Sequence, residues 1–431
     1  MNSHAAPHPN QQPAQPQQPA QPQQPAQTQK RRLIVPDLAR GTALLGIAMA
    51  NVAQTWITND WSEDQSRAGW SVGGVRPDSI IDQVSAVFAA MFIHVRGLPM
   101  FSTLLGFGFG LVAASLYRKH YPLKDARRVL VRRYAVLALF GLAHMLGLFY
   151  GDIMLTYGLV GILLAWGLSW SSKTLRIVAY SILGLFTTFG VLGGVSAFFF
   201  DSSEAIMQLD PTITFDTPGA YFFSNLQMAV GMLAMQPVAA LQLWALAIIG
   251  FVWARERVLI DVTTHRKTLI TWTVIAAVIM VGIGLPWGLA AAGVLPAQWE
   301  LPLFILNQAV GYFTGPGILA ALALATHRLN NDVPGWARAF VALGKRSMSG
   351  YLAQSVLFIL LCTPAFLGIG LDTTVTGKLG IGLLVWAITL ALAVLLERAG
   401  KQGPFEWAHR HLSYGKTGRI EPKNDQVSIA G

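Results

Sequence analysis

The stretch LGIGLLVWAITLALAVLL, residues 379–396, contains no charged side chain and a single hydroxyl. As a helix it is about 27 Å long, close to the ~30 Å hydrocarbon core of a bilayer. Residues 268–293 and 301–326 are similar uncharged runs. In lipid every backbone polar group must be satisfied internally, so such runs are helices. Working outward, the composition agrees. Apolar types make up 53% of the 431 residues and charged types 12%, about half the charged share of a soluble domain. The expected fold class is therefore all-α, a polytopic membrane bundle.

The apolar periodicity places about ten spans, at 33–56, 97–117, 129–149, 153–170, 174–199, 236–254, 268–292, 301–326, 347–369 and 379–397. Two more apolar stretches fit poorly. Residues 79–95 run into Arg96-Gly97-Leu98-Pro99, a break signal. Residues 217–235 carry Ser224, Asn225 and Gln227 and end near Pro237. Both read as interfacial or re-entrant segments. Residues 1–29 are a Pro/Gln/Ala tract with too little apolar bulk for a core, expected to be a disordered cytoplasmic tail rather than a signal peptide. Residues 30–397 form the expected bundle and 398–431 a cytoplasmic amphipathic segment.

The net charge of +10 would suggest a nucleic-acid binder in a soluble protein, but the charges are placed otherwise. With the N-terminus inside, the expected inner segments hold 26 of the 31 Lys and Arg, and the outer loops hold twelve acids, including Asp60, Glu63, Asp64, Asp201, Glu204, Asp210 and Asp216. The positive-inside rule then puts both termini in the cytoplasm, with no nucleic-acid partner. Cys362 is the one cysteine and has no internal disulfide partner.

Ionisable groups within spans are costly, which makes the few present here the candidates for chemistry. Asp37, Arg40 and Asn51 fall on one face of the first helix, with Asp37 and Arg40 able to pair at i,i+3. That face is either a packing stripe or the wall of a polar path. His94 and Arg96 lie at the break. Arg96 serves as an interfacial anchor or a functional cation, and His94 is either solvated or catalytic. Arg132 and Arg133 begin the third helix, about 18 Å from His144. Asp152 follows after a tight turn. A carboxylate beside an imidazole orients the ring and raises its basicity, which suits a general base. A structural tie between two helices is the other reading. Gly106-Phe-Gly-Phe-Gly110 has no preceding strand, so it signals close helix packing rather than nucleotide binding. Lys345 and Arg346 precede a helix with polar Ser349, Gln354 and Ser355. There is no Walker motif, zinc-ligand spacing or G-x-S-x-G elbow, and no metal is expected.

Four segments in order resemble the YeiB-like family. They are Asp37-Leu-Ala-Arg40-Gly41 through Asn51; Leu98-Pro99-Met-Phe101-Ser102 through Phe109; Arg132-Arg133 with Gly141, His144, Gly151-Asp152 and Tyr157; and Gly344–Ser355 with Gly403-Pro-Phe-Glu406-Trp407. The family resembles a branch of the transmembrane acyltransferases, a group that includes the lysosomal heparan-α-glucosaminide N-acetyltransferase and bacterial sugar O-acyltransferases. The resemblance implies a bacterial inner-membrane enzyme that moves an acyl group from cytosolic acyl-CoA to an outer glycan, glycolipid or lipid acceptor, with membrane lipids around it and a homo-oligomer possible. On that reading Arg40, Arg132, Arg133, Lys345 and Arg346 hold the coenzyme. His144 and Asp152 form the base, with His94 a further catalytic candidate. Asn51 or Arg96 steadies the oxyanion, and Tyr157 and Gln354 line the substrate site. Two positions depart from the pattern. Lysosomal relatives place a His soon after the residue matching Asn51, whereas no His occurs here before His94. Gly350 stands where the family often has Asn. A small-molecule exporter and a non-catalytic scaffold are the rival functional classes.

Overall fold

The computed structural model describes residues 33–57, 59, 61, 68–199, 216–330 and 333–423. The N-terminal tract and the acids Asp60, Glu63, Asp64, Asp201, Glu204 and Asp210 lie outside the described residues. Among those described there is no strand, and the chain is an all-α membrane bundle. A helix stands at each of the ten expected spans. Among the described residues, seven helical stretches are long and apolar enough to cross a membrane by themselves, including Leu123–Gly147, Gln236–Arg255 and Val375–Arg398.

The helices are α1 (Ile34–Asn51), α2 (Ile80–Phe88), α3 (Gly97–Arg118), α4 (Leu123–Gly147), α5 (Met154–Trp166) and α6 (Ser172–Ser196). After these come α7 (Pro218–Leu233), α8 (Gln236–Arg255), α9 (Arg266–Ile279), α10 (Leu285–Ala291) and α11 (Glu300–Val310). The chain continues through α12 (Thr314–Thr326), α13 (Gly335–Lys345), α14 (Ser347–Cys362) and α15 (Val375–Arg398) to α16 (Pro404–Tyr414). Expected boundaries shift where local chemistry intervenes. The span expected at 347–369 ends at Cys362 because Pro364 follows and cannot continue a helix. The span expected at 129–149 begins at Leu123, directly after Pro122.

Helix α1 is central, packed on α3, α13, α14 and α15. Helix α3 packs along much of α8. A Cβ on Gly106 would stand 1.8 Å from the Ala247 carbonyl oxygen, and one on Gly250 would stand 1.9 Å from the Thr103 carbonyl oxygen. The two glycines thus admit each other's backbones, the close approach that drives association where lipid offers no hydrophobic gain. The glycine run at 106–110 is a packing surface.

Three π-turns interrupt the α-helices, at Val52–Trp56, Ala89–Ile93 and Met280–Gly284. The last two pack on each other. Such turns free carbonyls from the helical ladder and are common at functional sites. The break expected after residue 95 is present, with Val95 at φ 58° between α2 and α3.

Candidate functional site

Helices α4 and α5 form a hairpin whose closeness is set by glycine. A Cβ on Gly141 would lie 2.0 Å from the Leu155 nitrogen. This approach brings the end of α4, carrying His144, against the start of α5. The turn between them is braced by α7. Asn225 donates from Nδ2 to the Met145 and Leu146 carbonyls at 3.1 and 3.2 Å, and its Oδ1 accepts the Tyr150 N–H at 2.6 Å. Tyr221 adds a bond from its hydroxyl to the Leu148 carbonyl at 2.6 Å. Asn225 therefore satisfies carbonyls that every helix end leaves open, which gives this polar residue of the 217–235 stretch its role.

His144 is 3% exposed and Asp152 4% exposed. The Asp152 carboxylate is fixed at both oxygens. Oδ1 accepts the Leu155 N–H at 2.7 Å, capping the start of α5, and Oδ2 lies 2.6 Å from His144 Nδ1. A carboxylate acceptor assigns the proton to Nδ1 and leaves the lone pair on Nε2. Nε2 is buried and, among the described residues, has no hydrogen-bond partner. Around this pair stand Tyr351, its ring 5.3 Å from the imidazole, and Phe149 at 6.3 Å. Tyr157 stacks on Phe101 at 5.4 Å and bonds to the Leu98 carbonyl at 3.1 Å. Gln354 is buried, with a long 3.4 Å bond to the Leu44 carbonyl.

A narrow crevice runs beside the site, lined by Thr55, Trp56, Phe149, Tyr150, Asn225 and Thr363. Trp56 stacks on Phe149 at 4.7 Å, and its buried Nε1 has no partner. Asn51 is half-buried, one turn before Trp56 on the same helical segment.

At the other end of α4, Arg40 pairs with Asp37 at 3.0 Å as the i,i+3 spacing suggested. Arg132 is exposed and donates to the Leu412 carbonyl at 3.1 Å. Arg133 lies between Tyr134 and Tyr414, donating to the Tyr414 hydroxyl at 2.6 Å while its buried Nε is unpaired. Helix α16 covers this region. His409 donates to the Arg133 carbonyl at 3.0 Å, and Glu406 accepts from the N–H groups of Met348 and Ser349 at 2.8 and 3.1 Å. The amphipathic segment is thus docked on the bundle, with exposed Trp407 and Leu412 on its outer face. Burial, joined by the charges of Arg133 and Arg410, pushes His409 down to about 4.

The remaining candidates fall elsewhere. Lys345 and Arg346 both pair with Glu397 at 2.6 Å. His94 and Arg96 are 1% and 2% exposed, so neither the solvated histidine nor the interfacial anchor holds. Arg96 bonds to Asn307 Oδ1 at 2.8 Å, and among the described residues no hydrogen bond or ring contact joins it to His144. Sequence reasoning missed Tyr351, Glu397 and Asn307 as partners. Asn307 did carry a signal, as a polar residue inside the apolar 301–326 run. Among the described residues no group of His, Cys, Asp or Glu is placed to hold a metal.

Residues 253–416 match the family described as "Protein of unknown function (DUF418)". No solved structure matches the chain. It is similar to the uncharacterized protein YxaH of Bacillus subtilis, 26% identical over 407 residues that cover 89% of this chain and 94% of that one. It is also similar to the uncharacterized protein YeiB of Escherichia coli, 25% identical over 418 residues covering 90% and 97%. Over most of its length the chain is thus similar to two bacterial proteins, and its apolar helices make it a multi-pass membrane protein.

Proposed function

We propose that the protein is a transmembrane acyltransferase of the bacterial inner membrane, with about ten spans and both termini in the cytoplasm. It would pass an acyl group from cytosolic acyl-CoA to a hydroxyl or amine acceptor outside. The observation that carries this reading is His144 Nε2, a buried ring nitrogen without a partner on an imidazole whose other nitrogen is held 2.6 Å from Asp152. A purely structural His–Asp tie has no need of such an orphan, whereas a general base requires a free lone pair.

His144 Nε2 would take the acceptor proton as the acceptor oxygen or nitrogen attacks the thioester carbon. The carbon–sulfur bond then breaks, and the coenzyme thiolate leaves with the proton from the imidazolium. Asp152 would stabilise that imidazolium and keep the ring in register. Asn51 would donate to the developing oxyanion, and the acceptor would approach from the side of Trp56 and Phe149. Tyr157 and Gln354 would line the acyl path.

On the cytoplasmic side the fit is uneven. Arg40, Arg132 and Arg133 suit the coenzyme's phosphates, since the Arg133 Nε is unpaired and phosphate accepts charge-assisted bonds from guanidinium. Lys345 and Arg346, engaged by Glu397, would instead hold the helix ends that frame the entrance. Arg96, held by Asn307, is given no part in this step. The test uses proteoliposomes sealed around the wild-type protein. Labelled acetyl-CoA supplied on the Arg133 side should place label on an acceptor on the His144 side. Label that never crosses, with no thiol released, rejects the enzyme reading.

A further inference from the structure

Arg96 holds its charge in the interior with only neutral partners. Its Nε donates to the Met91 carbonyl at 2.9 Å, Nη2 to the Ala90 carbonyl at 3.2 Å and to Asn307 Oδ1 at 2.8 Å, and Nη1 to the Val95 carbonyl at 3.4 Å. Carbonyls satisfy N–H groups but do not cancel a unit charge. Holding an uncompensated ion away from water costs several kcal/mol, and ionisable groups inside membranes are paired or mark a ligand path. The buried acid on the same segment as Asn307 is Glu300. It is already committed to Gly69 N–H, Ser71 N–H and the Ser71 hydroxyl, at 3.1, 2.9 and 2.6 Å.

Two neighbours are also incomplete. Asn307 is fully buried, and because its Oδ1 faces Arg96 its Nδ2 is left without a partner. His94, beside Trp287 at 5.5 Å, makes no well-formed hydrogen bond from either ring nitrogen, and only the Val72 backbone offers it a polar contact. The chain between His94 and Arg96 is strained. Val95 is β-branched and sits at φ 58°, a conformation that such residues rarely adopt and that persists where the surroundings enforce it. Gly284 and Gly311 wall the guanidinium, since a Cβ on either would come within 3.1 or 3.0 Å of it.

An apolar groove of about 380 Å³ lies on the other side of the same π-turn, lined by Val84, Val87, Phe88, Met91, Leu289 and Val294 among others. Met91 belongs to both, lining the groove with its side chain and accepting from Arg96 with its carbonyl. An uncompensated cation, the orphaned His94 and a lipid-sized groove adjoin one turn of chain, and the orphaned Asn307 reaches it from α11.

We propose that Arg96, His94 and Asn307 form a second site, distinct from His144, which binds a phosphate group, free or as the headgroup of an anionic lipid whose chain occupies the groove. The phosphate supplies the missing negative charge and accepts from Asn307 Nδ2, a His94 N–H and the guanidinium.

The test compares wild type with Asn307→Asp, which puts a carboxylate beside Arg96 as an internal substitute for the ligand. Melting temperature and native-mass adducts are followed with inorganic phosphate, and separately in phosphatidylcholine nanodiscs with and without phosphatidylglycerol. Wild type should be stabilised by one of these probes. A response to phosphate identifies a free anion, and a response to phosphatidylglycerol alone identifies a lipid headgroup. Asn307→Asp should melt at or above wild type without either probe and bind the effective one at least about tenfold more weakly. Arg96→Met should lose the adduct, and the aspartate variant keeps the test valid if Arg96→Met does not fold. Wild type indifferent to both probes, or Asn307→Asp responding as wild type does, would overturn the proposal.

Discussion

His144 Nδ1 lies 2.6 Å from Asp152 Oδ2, and the second oxygen of the same carboxylate caps helix α5 at Leu155. One aspartate thus ties the imidazole's orientation to the start of a helix. The ring cannot turn without disturbing either the cap or the hairpin, so its free nitrogen points in a fixed direction.

Substitutions at Asp152 should separate these two duties. Asp152→Asn keeps an oxygen for the Leu155 N–H but offers Nδ1 a donor in place of an acceptor, favouring the tautomer with its proton on Nε2. The expected result is thiol release from acyl-CoA lowered by roughly 10- to 100-fold with folding retained. Asp152→Ala removes the cap as well and should also lower stability, by about 1 kcal/mol for the cap alone, seen as a lower melting temperature. Equal activity in the asparagine variant and wild type would remove Asp152 from the chemistry.

The hairpin itself makes a packing prediction. Gly141→Val forces side-chain bulk into the Leu155 backbone, whereas a Cβ on Gly147 meets nothing within 4 Å. Gly141→Val should cost about 3 kcal/mol or more from overpacking, seen as lost monodisperse yield in detergent. Gly147→Ala should be neutral or slightly stabilising. A tolerated Gly141→Val would mean that α4 and α5 do not approach as described.

The spans were readable because length and apolarity alone decide them, and the break after residue 95 because Arg96-Gly97-Leu98-Pro99 is local chain chemistry. His144 and Asp152 were readable as a pair because one turn separates them. The bond between Arg96 and Asn307 joins residues 211 apart in sequence, and the Arg346 pairing with Glu397 joins residues 51 apart. Periodicity says nothing about which helix faces which, so these partners emerge only from packing. The π-turns were equally hidden, since one added residue per turn leaves no compositional mark.

Glu397 pairs with Lys345 and Arg346, and Arg346 is the more buried of the two. Glu397→Gln should destabilise the protein by about 1–3 kcal/mol, less than a fully buried pair would because Glu397 itself is partly exposed. The melting temperature should fall while acyl-CoA affinity changes little. A large gain in affinity would show instead that Glu397 masks a phosphate site.

Helix α16 should undock with acid. His409 is buried as the neutral form and its pKa is pushed down to about 4 from the ordinary 6.5. A depressed histidine contributes stability that is full above 6.5, declines as the pH falls toward 4, and is gone below it. Protection factors of residues 404–414, exchange rates corrected for their intrinsic pH dependence, should therefore fall as the pH is lowered from about 7 to about 5 in wild type. His409→Gln, which keeps an N–H for the Arg133 carbonyl, should flatten that dependence. Protection factors independent of pH in wild type would mean that the imidazole is not held neutral.

The central claim is that the free nitrogen of His144 accepts a proton during acyl transfer. The most direct measurement is thiol release from acyl-CoA by purified wild type and His144→Ala, with melting temperature recorded on the same samples. The account predicts a fall on the order of 10²- to 10⁴-fold in the alanine variant, with the protein still folded. Unchanged turnover in folded His144→Ala would contradict it.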